Sequence, residues 1–242
     1  MNIILLHGSD FKDKNMVILK DHRKDHIITV LKAKIHDSLL FGLINGKMGK
    51  GIIINIDSSK VELKINLDKN PPPALPLTLV LALPRPKMLK RIIESSVGLG
   101  VKKIYLINSW RVEKSFWQSP VLKKETLDAL SIAGLEQAKD TIMPQIFKKK
   151  LFTPFVKNEL PDIAQNSSMF IAHPKTAIPC PCSKTLLNQS ICLAIGPEGG
   201  FIDKEIKTLE LLGFKTINFG SRILRTETAV PVLIAKLFPD FF

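Results

Sequence analysis

The stretch Lys69-Asn-Pro-Pro-Pro-Ala-Leu-Pro76 constrains the fold of this chain more than any other. Three consecutive prolines lock φ and supply no backbone N–H, so neither a helix nor an interior strand can pass through them. They make a stiff spacer, and the hydrophobic rhythm differs on its two sides. Before it, Ile3–Leu6, Met16–Leu19, His26–Leu31, Ser38–Ile44, Gly51–Ile56 and Lys60–Leu67 are short aliphatic or β-branched runs separated by Asp, Asn, Gly or Ser. Such runs predict strands, and Asn45-Gly46 between two of them predicts a tight hairpin turn. Residues 1–70 therefore read as a small, mostly antiparallel β-barrel. After the prolines, apolar strands (Leu77–Leu83, Lys103–Ile107, Met169–Ala172, Leu193–Ile195, Thr216–Phe219) alternate with helical spacing at Lys87–Leu99, Leu122–Lys139, Lys204–Leu212 and Ala229–Leu237. That alternation predicts, for residues 71–242, an α/β domain whose largely parallel sheet is covered on both faces.

Charge narrows the partners. Lys and Arg number 35 against 22 Asp and Glu, a formal +13, with a sequence pI near 9.7. The excess is shared by both segments and favours a polyanion, nucleic acid first. Arg85, Lys87, Lys90 and Arg91 fall together ahead of the first acid, Glu94. They read either as a solvated helix face or as a strip that tracks phosphates. Arg23 and Lys32 in the first segment and Arg222 near the C-terminus are further candidates for RNA contact. No apolar run reaches the roughly 18 residues of a membrane helix, and the opening MNIILLHGSDF reads as a first strand rather than a signal peptide. No membrane partner is expected. Cys180, Cys182 and Cys192 lack an accompanying His or Cys pair at metal-ligand spacing, as do the five histidines. They read as free thiols of a reducing cytoplasm rather than as a metal site.

Two stretches carry the functional signal. "LAIGPEGGF" (Leu193–Phe201) ends an apolar strand in a loop nearly devoid of side chains. It lacks the Gly-Lys-Ser/Thr of a phosphate-binding loop, and its spacing does not match a dinucleotide fingerprint. An ordinary strand-to-helix turn, with Asp203 and Glu205 complementing the next helix's positive end, remains open. Twenty residues on comes "FGSRILRTETAV" (Phe219–Val230). Thr226 or Thr228 suits a helix N-cap, and with Thr228 as cap Pro231 would sit in the first turn. Capping leaves Arg222 and Arg225 unexplained.

Together these stretches resemble the SPOUT-class RNA methyltransferases, and among them the ribosomal RNA small subunit methyltransferase E family. Gly196–Phe201 and Leu224–Ala229 carry the likeness most strongly; Gly134–Pro144 ("GLEQAKDTIMP") and Ala172–Pro174 ("AHP") carry it more loosely. The resemblance implies an N-terminal RNA-binding barrel of the PUA type and a C-terminal SPOUT α/β domain closed by a trefoil knot. It implies a homodimer that methylates N3 of a uridine in 16S rRNA of the small ribosomal subunit, using S-adenosyl-L-methionine. His173, Ile195, Gly196, Pro197, Glu198, Gly199, Gly200, Phe219, Gly220, Ile223, Leu224, Thr226, Thr228 and Ala229 would surround that cofactor, mainly through backbone groups. Arg225 would stabilise negative charge developing on the base. Glu198 or Glu227 would take the N3 proton, each with a capping or loop-ordering alternative.

The chain departs from the family pattern in two places. Lys-x-x-Glu-Leu-Gly-Val becomes Ser95-Ser96-Val97-Gly98-Leu99-Gly100-Val101, and Glu-Gln-x-x-Arg becomes Glu136-Gln137-Ala138-Lys139-Asp140. If those positions touch RNA, the target could differ, so two alternatives stay open: a SPOUT methyltransferase acting on a different rRNA or tRNA site, and a non-catalytic RNA-binding paralogue.

Overall fold

A computed structural model describes residues 2–174, 176, 178–181, 189–218 and 220–241. Two compact units emerge: Met1–Pro73 with Ile132–Met143, and Ala74–Ser131 with Pro144–Phe242. Residues 132–143 thus cluster with the first unit, although the sequence places them well past the prolines.

The first unit is built on one curled sheet. Its strands β1 (Ile4–Leu6), β2 (Met16–Leu19), β3 (Ser38–Leu43), β4 (Met48–Ile56) and β5 (Val61–Lys69) run in the order β1-β3-β4-β5-β2. All pairings are antiparallel except β1 with β3. Alternate residues face a core made of Leu6, Val17, Leu19, Ile27, Phe41, Ile53, Val61 and Leu63. Asn45 takes φ 58° in the β3–β4 turn, a left-handed conformation that Asn tolerates, and Gly46 N–H closes the turn on Leu43 C=O.

One expected strand is a helix. His26–Leu31 continues α1 (His22–Asp25) as a wider turn over His26–Val30, in which Leu31 N–H bonds His26 C=O at 3.0 Å. The Asp21 side chain accepts from Arg23 N–H at 2.9 Å and caps the start. Capping and the burial of Ile27 outweigh the strand preference of the β-branched run, because tertiary packing overrides local propensity.

The second unit holds a six-stranded parallel sheet. Its strands are β6 (Leu77–Ala82), β7 (Lys103–Ile107), β8 (Gln145–Lys149), β9 (Ser167–Ala172), β10 (Ser190–Ile195) and β11 (Lys215–Ile217), in the order β11-β9-β10-β6-β7-β8. Consecutive residues of β6, β7 and β10 are buried. Since neighbours on a strand point to opposite faces, both faces of the sheet are covered. Helices α2 (Pro86–Gly98) and α7 (Thr226–Leu237) pack together; α3 (Lys124–Ala138) and α6 (Asp203–Glu210) complete the long helices. Edge strand β8 and the short helices α4 (Phe152–Asn158) and α5 (Leu160–Ile163) carry no clear sequence signal; in β8, QIFKK sets two adjacent apolar residues before two lysines at a half-exposed edge, with no period-2 pattern.

Helix α7 begins earlier than its capping signals suggest. Neither threonine caps it: Arg225 is the N-cap, without a side-chain cap bond, and its carbonyl accepts from Thr228 and Ala229 N–H at 2.9 and 2.8 Å. Pro231 consequently lies inside the helix, where its missing N–H leaves the Glu227 carbonyl without its i+4 donor.

Candidate active site

Chain direction in the parallel sheet reverses its winding at β6. From there the chain builds outward through β7 and β8 on one side, and β10, β9 and β11 lie on the other. Such a switch point leaves a crevice at the C-terminal strand ends, the usual place for a ligand in open α/β sheets. The glycine loop leaves β10 at that crevice.

The loop is tied down in three ways. Gly200 N–H donates to Pro197 C=O at 2.7 Å. Glu198 Oε1 accepts from Arg85 N–H, at the start of α2, at 2.9 Å. The Arg111 guanidinium donates to Gly199 C=O. A β-carbon on Gly196 would lie 2.8 Å from Phe201 N and 3.0 Å from Gly200 C, so the loop folds back on itself too closely for any side chain there. Gly200 has φ +72° and open space where a β-carbon would project. It exposes bare backbone in a conformation that glycine adopts without strain.

The loop walls a cavity of about 280 Å³. Of the residues expected around a cofactor, His173, Ile195, Gly196, Pro197, Glu198, Gly199, Gly200, Ile223, Leu224, Thr226 and Ala229 line it. His173 N–H is held by Ile217 C=O at 2.9 Å, which fixes β9's exit beside β11. Gly220 and Thr228 are not in the wall; Thr228 is exposed on the outer side of α7. Phe219 lies outside the described residues. Arg225 directly precedes wall residue Thr226, and its side chain is exposed rather than part of the wall. The bond from Arg85 gives Glu198 a loop-ordering role.

Sequence reasoning missed Arg111, Ala172, Pro174, Phe201 and Asp203 as wall residues. Arg111 had a signal: it follows an apolar strand within Ser109-Trp110-Arg111, at the strand end where ligand-binding residues gather.

Among the RNA candidates, Lys32, Arg85, Lys87, Lys90, Arg91 and Arg222 are exposed. Arg23 is a correction. It is 6% exposed, and its guanidinium bonds Asp10 at 2.7 Å, Asp21 at 2.6 Å and Leu5 C=O at 2.7 Å. Burial alone would lower its pKa, but these carboxylates outweigh that and raise it. Arg23 is committed to holding the first unit together. Asp140 is likewise buried, with its carboxylate accepting from Thr141 and Ile142 N–H at 2.6 and 3.0 Å. It shapes the turn after α3 instead of presenting charge to RNA. Ser95 bonds Ile92 C=O within α2 at 3.2 Å.

Cys180 and Cys192 are buried, with burial pushing the Cys192 thiol up to about 12; Cys182 lies outside the described residues. Among the described residues no group of three or more His, Cys, Asp or Glu is placed to hold a metal, and no helix is long and apolar enough to cross a membrane.

A parallel α/β sheet with a side-chain-poor loop at its switch point defines a class, and residues 70–237 match the model of the RNA methyltransferase domain family. The ribosomal RNA small subunit methyltransferase E of Rickettsia conorii is 30% identical over 98% of this chain and 94% of that protein. The protein of the same name from Treponema pallidum is 29% identical over 95% of this chain and 87% of its own length. In solved structures, the fold is shared with a Legionella pneumophila methyltransferase in complex with SAM (TM-score 0.75, 22% identity, covering 99% of this chain and 97% of that one). It is also shared with the Neisseria gonorrhoeae small subunit methyltransferase E bound to S-adenosyl methionine (TM-score 0.73, 19% identity, the same coverage). The chain belongs to the ribosomal RNA small subunit methyltransferase E family of RNA methyltransferases.

Proposed function

We propose that this chain methylates N3 of a uridine in 16S rRNA of the small ribosomal subunit, with S-adenosyl-L-methionine as donor. The observation that carries the reading is the glycine-loop cavity. Its donor set fits that cofactor: bare backbone at Gly200 for hydrogen bonds, apolar walls from Ile195, Phe201, Leu224 and Ala229 for an adenine face, and the charged lining residues Asp203 and Arg111 for a zwitterionic tail. In our reading residues 71–242 form the knotted catalytic domain, residues 1–70 an RNA-binding barrel, and two copies complete each cofactor site.

When bound, the cofactor supplies a methyl group already activated on a sulfonium. The protein's task is then chiefly positioning. Glu198 and Arg111 hold the loop in its folded-back form, so its backbone groups are aimed before any ligand arrives. The uracil N3 proton must leave as the base becomes a nucleophile, and Arg225, a permanent cation beside the wall, stabilises the resulting negative charge. Glu227, in the first turn of α7, is the proton acceptor in this reading, since Glu198 already accepts from Arg85. The target uridine must be unstacked to enter.

The test is incubation with labelled S-adenosylmethionine and small ribosomal subunits lacking uridine methylation, followed by digestion and mass spectrometry. A single 3-methyluridine in 16S rRNA is expected. Methyl transfer to another base or another RNA overturns the assigned position, and an Arg225→Ala protein of undiminished activity removes that residue from the mechanism.

A further inference from the structure

A second cavity, of about 630 Å³, opens at the C-terminal ends of β7 and β8. It adjoins the glycine-loop cavity: Phe152 in its wall lies against Phe201 of the other, ring centroids 6.4 Å apart. The chain alternates between the two. Trp110 lines the second and Arg111 the first; Ile202 and Lys204 line the second and Asp203 the first.

Three features of the second cavity have no structural explanation within the fold. Trp110 is 77% exposed, a large aromatic surface left in water. Its backbone is nevertheless fixed, because Trp110 N–H donates to Glu205 Oε1 at 2.8 Å while Glu205 Oε2 accepts from Ile202 N–H at 3.0 Å. Ser109, 3% exposed, lines the same cavity and carries a buried hydroxyl with no hydrogen-bond partner, and buried polar atoms are normally paired. Lys114 and Lys204, both exposed, add cations to its lining. Both oxygens of buried Glu205 are engaged by backbone N–H groups.

An exposed aromatic plane on an anchored backbone, an unpaired buried hydroxyl and exposed lining cations together fit one chemistry: a nucleotide, its base stacked on the indole and its phosphate near the lysines. We infer that this cavity binds the nucleotide next to the target base, and that Trp110 is its stacking platform. The inference rests on the RNA methyltransferase reading and deepens it by locating where the substrate strand continues. Stacking is tolerant of base identity, so the cavity holds the strand in register rather than reading its sequence.

The test compares Trp110→Ala, Trp110→Phe and Ser109→Ala with the wild-type protein. Binding to a fluorescein-labelled single-stranded fragment of 16S rRNA is read by anisotropy, and S-adenosylmethionine binding by calorimetry. Trp110→Ala is expected to weaken RNA binding about tenfold and to raise KM for RNA while leaving kcat and cofactor affinity within about twofold. Trp110→Phe keeps a ring and recovers most of the affinity. Ser109→Ala removes an unpaired hydroxyl, so it leaves the thermal midpoint unchanged or higher while weakening RNA binding. Trp110→Ala that binds RNA as wild type does overturns the inference alone. Loss of RNA binding that tracks an equal loss of cofactor affinity, or a loss of self-association, also overturns it, since Trp110 would then act through Arg111 or through a subunit contact. A wild-type chain that binds no RNA refutes the broader reading and this inference with it.

Discussion

Alanine at Gly196 is the sharpest test of the folded-back loop. The added β-carbon would meet Phe201 N at 2.8 Å and Gly200 C and Cα at 3.0 Å, whereas ordinary van der Waals contact begins near 3.4 Å. All three neighbours are backbone atoms of the loop itself, so relief requires the loop to open by roughly half an ångström. Overpacking of this kind costs about 1–3 kcal/mol. If that cost falls on the ligand-competent form, S-adenosylmethionine affinity drops roughly 5- to 150-fold. Two neighbouring substitutions calibrate the result. Alanine at Gly200 meets no atom within 4 Å but must hold φ near +72°, a strain of about 1–2 kcal/mol. Alanine at Gly199 meets only the Arg111 side chain, Cδ at 3.0 Å, a flexible chain that need give only a few tenths of an ångström while keeping its bond to Gly199 C=O. Calorimetry is therefore expected to rank the losses Gly196→Ala, then Gly200→Ala, then Gly199→Ala, with thermal midpoints confirming that all three proteins fold. Unchanged affinity in Gly196→Ala, or Gly199→Ala as the most damaged of the three, would refute the argument that backbone closure shapes this site.

Further predictions concern the first unit and the sheet. Arg23→Met leaves Asp10, whose side chain is 12% exposed, without its counter-ion; urea titration is expected to show a loss of about 3–5 kcal/mol, and a loss below 1 would mean the cluster is dispensable. The hydrogen bonds from Arg23 lower Asp21 from 3.8 to about 2. A depressed carboxylate contributes stability above its unfolded pKa that is lost as pH falls through the folded one, so wild type weakens between about pH 4 and 2 and Asp21→Asn weakens less across that window. Glu136 has the opposite sign: burial raises it, so its contribution is full below the unfolded pKa and lost as pH rises through the folded pKa. Glu136→Gln should flatten that decline and be the more stable protein at pH 8; an unaltered pH profile by thermal denaturation would contradict the burial argument. Cys192, buried in β10 with its thiol pushed up to about 12, should resist alkylation until the sheet unfolds, as read by peptide mass spectrometry with and without denaturant.

Where local pattern and burial agree, sequence and structure coincide. Apart from half-buried Thr78, the parallel strands β6, β7 and β10 are apolar at every interior position and were legible for that reason. The failures lie where a long-range partner decides. His26–Leu31 reads as a strand by composition, yet the Asp21 cap and the core around Ile27 make it helical. Arg23 looks like one more surface cation among 35 basic residues. Only the curling of the sheet, which brings Asp10 and Leu5 C=O to its guanidinium, turns it inward. Asp140 looks like a charge reversal at an RNA-facing site, and its burial against its own turn removes that meaning.

The site divides in the same way. Its glycine loop was legible because an absence of side chains is itself a sequence signal: few requirements other than close backbone approach explain Gly-Pro-Glu-Gly-Gly after a buried strand. The groups that hold that loop were not legible, since each comes from another strand end. Arg85 stands 113 residues from Glu198, and Arg111 stands 88 from Gly199. These pairs form only because parallel strands β6, β7 and β10 bring their C-terminal ends to one edge of the sheet. The same topology places Trp110 beside the loop through Glu205. A ligand cavity at a switch point is thus a property of strand order, and the sequence reveals whichever wall carries an unusual local composition.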